Sequence, residues 1–311
     1  MKAVRLLFGM LFIGTFLVSC EADVIITDDF IDEPGITVNQ LLTSYDLWYV
    51  DINRTSGNGE VPFLQRAFTV SFDFGVLAAN NNLVGFGGTG NGLGIDVGDY
   101  TAYGSTLDID HDIDGFWRFE VFQLSNASIR LYHRPTNTSY YLEGYQRNNF
   151  DYDRLFYENI VYFLQEYQAW EKTFTSDFGA LNEFDEENYL QFFSDINADV
   201  FRSSIDDNGT RIDNLVWDYE GIYEVFNVQG DPYTKTLTLD YDFLGNDYFE
   251  LTVIDDRTIE LFHPDSGTVY EFRGRGYTEF LKGEQSKKRK KQDLRTMNIE
   301  RKSARKSVKI K

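Results

Sequence analysis

The sequence predicts an all-β protein with short helices, built as a tandem duplication. Three observations carry this. Many segments alternate apolar and polar residues with a period of two, as half-buried strands do. Clusters such as Asp207-Asn208-Gly209 and Asp265-Ser266-Gly267 interrupt them as turns. Four patterns also occur twice in the same order. Residues 41–48 match 163–170, and Gly98-Asp99-Tyr100 matches Gly221-Ile222-Tyr223. Residues 107–110 match 239–242, and residues 129–133 match 259–263, with a proline soon after each of the last pair. The offset drifts from 122 to 132 along the chain.

The elements follow in order. Lys2 and Arg5 precede an apolar run over residues 6–18, which is 13 residues long. Such a run is short for a bilayer span and suits the core of an export signal. It ends in Leu17-Val18-Ser19-Cys20, a small residue before the single cysteine of the chain. This resembles the lipobox of bacterial lipoproteins. The resemblance implies that residues 1–19 are a signal peptide and that Cys20 becomes a lipidated, palmitate-bearing residue. One cysteine permits no intrachain disulfide. Glu21, Asp23, Asp28 and Asp29 make residues 20–37 an acidic linker, closed by the breaker Pro34-Gly35. That acidic stretch resembles the surface-export signal of Bacteroidota lipoproteins. It implies a bacterial cell envelope location as an outer-membrane lipoprotein, periplasmic or surface-exposed, with the membrane as a partner through Cys20.

A short helical turn is expected over residues 38–44. Apolar residues Leu155, Phe156, Ile160, Phe163, Leu164 and Tyr167 predict a longer helix over 151–168. Residues 68–74, 236–241, 249–253 and 258–262 alternate as strands. Each copy thus reads as a helix, a tryptophan-bearing strand, a Gly-x-Tyr strand, a Leu-rich strand and a closing hairpin. The pattern, strongest in Thr236-Leu237-Thr238-Leu239, resembles the lipocalin-like domains of Bacteroidota (flavobacterial-type) lipoproteins over residues 38–147 and 158–281. The resemblance implies two tandem small antiparallel up-and-down, lipocalin-like barrels, repeat 1 over 38–147 and a helix plus repeat 2 over 148–281. Relatives of this kind are mostly of unknown function. The 27 Phe, 20 Tyr and 4 Trp must chiefly fill two small cores, with Trp48 and Trp170 as floor plugs.

Charge is divided unevenly. Residues 20–281 carry 14 basic and 47 acidic residues, whereas residues 282–311 carry 13 basic and 3 acidic. The acidic body repels nucleic acid and attracts cations and basic partners. The basic tail is expected to be disordered, touching either lipopolysaccharide phosphates or the chain's own body.

Asp108, Asp110, Asp112 and Asp114, followed by Gly115, are candidate ligands for Ca²⁺, because alternating carboxylates before a glycine can wrap a hard cation. The bidentate glutamate of an EF-hand is missing, since the twelfth position from Asp110 is Val121. The same residues also read as a strand with Leu107, Ile109, His111 and Ile113 on one face and the aspartates in water, and the second copy, which keeps Asp240 and Asp242 without the rest, favours that reading. Residues 85–90 fit the dinucleotide fingerprint formally but lack a following helix, so they read as a hairpin loop. His133 and His263 sit at matching places and suggest a strand-end role. No catalytic residues and no cofactor beyond Ca²⁺ are assigned. Some relatives carry the name nicotinate mononucleotide adenylyltransferase, but that chemistry uses a His-x-Gly-His motif on a parallel α/β fold, and this sequence has no such motif. The expected function is a non-enzymatic, lipid-anchored envelope protein that binds a small ligand or a partner protein. A calcium-dependent adhesion or glycan-binding module and an enzyme of unknown class are the alternatives.

Overall fold

The computed structural model describes residues 36–86, 94–195, 198–278, 288–292 and 294–299. Helix α1 (Val38–Leu42) opens the first copy, with Thr37 capping its first turn. Strands β1 (Leu47–Gly57), β2 (Thr69–Asp73), β3 (Val76–Asn80), β4 (Ile95–Tyr103), β5 (Thr106–His111), β6 (Gly115–Ser125), β7 (Ser128–His133) and β8 (Thr138–Tyr145) follow. Each pairs antiparallel with the next, and β8 pairs with β1 to close a barrel. Helices α2 (Tyr152–Glu158) and α3 (Ile160–Glu166) lead into the second copy.

Strands β9 (Tyr167–Thr175), β10 (Tyr189–Ser194), β11 (Asp199–Ser204), β12 (Tyr219–Val228), β13 (Asp231–Tyr241), β14 (Gly245–Asp255), β15 (Thr258–His263) and β16 (Thr268–Tyr277) repeat the order. Pairing of β16 with β9 and of β11 with β12 closes this set too. The fold is therefore two tandem eight-stranded antiparallel up-and-down barrels, as expected. A short strand β17 (Thr296–Met297) adds in parallel to β12 outside the second barrel.

The copies share one construction. Trp48 and Trp170 are fully buried, and each indole N–H donates to a helix-end carbonyl, Leu42 or Leu164, at 2.9 Å. Tyr45 and Tyr167 meet these indoles edge-on at 5.0 and 4.7 Å. Gly98 and Gly221 explain the Gly-x-Tyr pattern: a Cβ there would lie 2.2 Å from the Asp110 carbonyl oxygen or 2.0 Å from that of Asp240. Only glycine lets the neighbouring strand pass so close.

Three expectations need correction. The single helix over 151–168 is two short helices, because Asn159 leaves helical geometry and its side chain bonds Leu155 O and Tyr49 instead. Residues 107–110 do not align with 239–242. Strand pairing sets His111 against Gly98 and Tyr241 against Gly221, so residues 107–110 correspond to 237–240. A slip of two keeps every side chain on its face, which is why alternation alone could not detect it. The offset thus rises from 123 to 130 within one hairpin, β12–β13, which is seven residues longer than β4–β5. The third correction concerns the tail. Residues 288–292 and 294–299 lie on the body, and Arg289 is 2% exposed.

Outer-face residues of barrel 1 complete a shared core. Leu47, Tyr49 and Phe68 pack with α2, α3 and the second barrel, while Trp48, Val50 and Val70 fill the first. β1 is therefore buried on both faces over residues 47–52.

Strands β2 and β3 join through Phe74 and Gly75, both at positive φ. Phe74 is 98% exposed and gains no burial in return for a conformation that disfavours bulky residues. Phe74→Asn should stabilise the protein by about 1 kcal/mol. The gain should appear as a higher denaturant midpoint with an unchanged slope; an unchanged or lower midpoint would contradict it.

Candidate functional site

The aspartate run does not converge. β5 turns Leu107, Ile109 and His111 into the barrel and sends Asp108 and Asp110 outward. Asp108 accepts from Arg118 at 2.7 and 2.8 Å, and these bonds hold its carboxyl below the usual value. Asp114 turns inward and accepts from Arg66 at 3.1 Å, where both side chains are nearly buried. The Asp114 backbone N–H donates to His111 Nδ1 at 3.0 Å. Asp112 is an exposed turn residue, and Ile113, expected on the core face, is also in that turn. Two of the four carboxylates are thus committed to arginines on different sides of the wall. Among the described residues no group of three or more His, Cys, Asp or Glu gathers as a metal site. Cys20 and residues 87–93 of the glycine-rich run lie outside the described residues.

The paired histidines hold strand ends. His133 Nδ1 bonds Thr136 Oγ1 at 2.7 Å and His263 Nδ1 bonds Ser266 Oγ at 2.8 Å. Each hydroxyl then donates to the next one, Thr138 or Thr268. Both rings are buried in matching turns, which accounts for the shared position.

Neither barrel is open at the end that carries these histidines. The β1–β2 connection places Phe63 over Phe119 and His111, and the β9–β10 connection places Phe184 over Phe249 and Tyr270. A core tyrosine ties each plug down. Tyr140 OH accepts from Val61 N and Gln65 Nε2, and Tyr270 OH donates to Asp185 Oδ1 at 2.6 Å. The other end is closed by the tryptophan and helix.

Barrel 2 differs in what lies under its plug. Glu187 is 4% exposed and accepts from Tyr241 OH at 2.8 Å. Burial pushes its carboxyl up to about 7. Lys172 is also buried, donates to the Asp185 carbonyl at 2.6 Å, and is pushed down to about 8 by burial. His263 Nε2 lies 3.6 Å from Asp247. Barrel 1 has Val50 where barrel 2 has Lys172, and Trp117 where barrel 2 has Asp247. The sequence pattern missed this cluster because its members come from five separate segments.

Outside the barrels, the longer β12–β13 hairpin and α2 enclose a cleft of about 390 Å³. Arg154, Tyr157, Glu158, Tyr233 and Lys235 line it. Lys235 is pushed down to about 8 by burial and donates to Asn227 Oδ1 at 2.5 Å. Arg154 is engaged by Glu158 at 2.8 Å and by Glu143.

The plugged end of barrel 2 has a distinctive rim. Its loops, residues 176–188, 205–218, 242–244 and 264–267, hold eleven acidic residues and one basic residue, Arg211. They also expose Phe178, Leu181, Ile205, Val216, Phe243 and Leu244, with Leu181 and Phe243 at 96% and 95%. Large apolar side chains so exposed on one set of loops are the mark of a contact surface.

Glu187 sets a pH dependence. Its folded value lies above its ordinary 4.5, so the folded chain holds this proton more tightly. Its contribution is fully present below pH 4.5 and lost as pH rises through about 7. Lys172 has the opposite sign: its folded value lies below 10.5, so stability is lost as pH falls through about 8. Glu187→Gln should raise the melting temperature at pH 8 by several degrees and flatten its decline between pH 5 and 7. Calorimetry over that range checks this; an unchanged pH profile would show that Glu187 is not the titrating group.

No family model matches this chain, and no curated protein matches it in sequence at a significant level.

Proposed function

We propose that this chain is a non-enzymatic, lipid-anchored protein of the bacterial outer membrane that binds a partner protein through its second barrel. The observation that carries the reading is the rim: exposed apolar loop tips set among ten carboxylates besides the buried Glu187, on a barrel whose interior is filled. A surface of that kind fits a partner that presents apolar and basic side chains together. Charge complementarity would speed encounter, and burial of the tips would supply affinity. The corresponding loops of barrel 1 lack this concentration of acidic residues. Closed, aromatic-filled barrels argue against a ligand held inside them. A small-ligand reading rests on the α2–hairpin cleft, whose volume lies in the range of small-molecule sites and whose longer hairpin is peculiar to the second copy.

Anchoring rests on the Leu17-Val18-Ser19-Cys20 pattern. Cys20→Ala should release the protein from the membrane fraction or stall its processing; normal membrane retention would defeat the lipoprotein reading.

The rim is tested by photo-crosslinking in intact cells. A crosslinker at Phe243 should give a discrete adduct with a protein that is basic at the contact, whereas one at the equally exposed Phe74 should not. Adducts absent from both positions, or identical at both, would count against the rim.

A further inference from the structure

The basic tail is held by a site built for it. Arg289 enters between β1 and β2, whose ladder is limited to Trp48↔Val70 and Tyr49↔Thr69. One further bond, Val50 N to Phe68 O at 2.9 Å, continues the contact, and beyond it the strands part. The guanidinium fills the gap, donating to Val50 O at 3.1 Å, Ala67 O at 2.5 Å and Asn159 Oδ1 at 2.9 Å. It stacks over the Phe68 ring at 4.4 Å. The rest of the segment is read mostly through its main chain. Arg289 N donates to Gln65 O at 2.6 Å, and Tyr162 OH donates to Lys288 O at 2.8 Å and accepts from Lys290 N. Gln292 N donates to Asn53 Oδ1 at 2.8 Å.

Farther along, Asn227 N donates to Arg295 O and Gln229 N to Met297 O, so β17 occupies an edge of β12 that β11 does not reach. Lys288 and Arg295 pair at the surface with Glu60 and Glu224. Main-chain bonds to a strand edge with one deep side-chain pocket are how proteins recognise extended peptides.

We propose that the seam formed by the β1–β2 split, the α2–α3 break and the β12 edge is a recognition site for an extended basic segment carrying one buried arginine, which this chain fills with its own residues 288–292 and 294–297. A partner segment of the same chemistry enters by displacing the tail. The site is separate from the barrel 2 rim, so either can fail without the other. Arginine is required because its planar fork reaches three acceptors at once, whereas a lysine ammonium is a point charge that cannot span them.

The test uses the full chain and a fluorescein-labelled peptide of residues 286–299, followed by anisotropy in 0.5 M salt to suppress general attraction to the acidic body. The Arg289→Ala protein, whose own tail has lost its anchor, should bind this peptide at least tenfold more tightly than the wild-type protein. A peptide carrying Arg289→Ala should bind neither. Equal affinity of the two proteins for the peptide, or equal binding of the two peptides, would overturn the proposal. If Arg289→Ala loses its near-ultraviolet circular dichroism, Arg289→Lys takes its place, with the same outcomes required. In wild-type protein, excess unlabelled peptide should also raise hydrogen exchange at the amides of Lys290 and Gln292 at least threefold. No rise at saturating peptide would equally overturn the exchange.

Discussion

Asn159 joins three parts of the chain that are far apart in sequence. Its amide nitrogen donates to Leu155 O at 2.8 Å, closing α2, and to Tyr49 OH at 3.3 Å on the first strand of barrel 1. Its oxygen accepts from Arg289 of the tail. Tyr49 OH in turn donates to Glu158 at 2.7 Å. Asn159, Tyr49 and Arg289 are each no more than 2% exposed and cannot turn to water, so each depends on the others for satisfaction. The helix break, the docking of the second copy on β1 and the seating of Arg289 are consequences of one buried amide. A hydrocarbon side chain of similar size would leave a guanidinium and a phenol short of partners, which is costly in a dry interior.

Duplication fixed the frame, and divergence was confined to places the frame tolerates. The tryptophan with its helix-end carbonyl, the glycine under the passing strand, the histidine–hydroxyl turn and the phenylalanine plug appear in both copies. These positions close the ends of a small barrel, where a change of volume cannot be absorbed. Barrel 2 departs from barrel 1 in three ways. It buries a carboxyl and an amine beneath its plug, lengthens one hairpin by seven residues, and carries acidic, apolar loops at its free end. The hairpin extension reaches α2 and offers β17 an edge, so one insertion created both the cleft and half of the tail's seat.

Electrostatics connects these departures. A body with 47 acidic and 14 basic residues would repel itself, and the C-terminal basic segment relieves part of that repulsion at short range. Arg289 shows that attraction alone is not the device. Its charge is buried and held directly by carbonyls, an amide oxygen and a ring, with the Asp51 carboxylate acting on it without a hydrogen bond. Screening by salt acts weakly on such a contact, which separates it from the surface pairs that Lys288 and Arg295 make.

The sequence by itself determined the β class, the duplication, the tryptophan floors and the strand-end histidines, because each is written in a local period or in a repeated string. It also determined that Leu107, Ile109 and His111 share a face, since alternation in a strand is a local property. Only the tertiary structure decided the register of the two copies, because a shift of two residues preserves every in-and-out assignment. Likewise only the fold decided that Asp108 and Asp114 answer to Arg118 and Arg66: a spacing of alternate carboxylates is the same whether they wrap an ion or line a wall. The tail is the plainest case. A run of lysines and arginines has no local reason to order, and residues 288–292 and 294–297 are ordered by acceptors on β1 and just before β2, by the Tyr162 hydroxyl on α3 and by donors at the end of β12, which the chain brings together only after both barrels have closed.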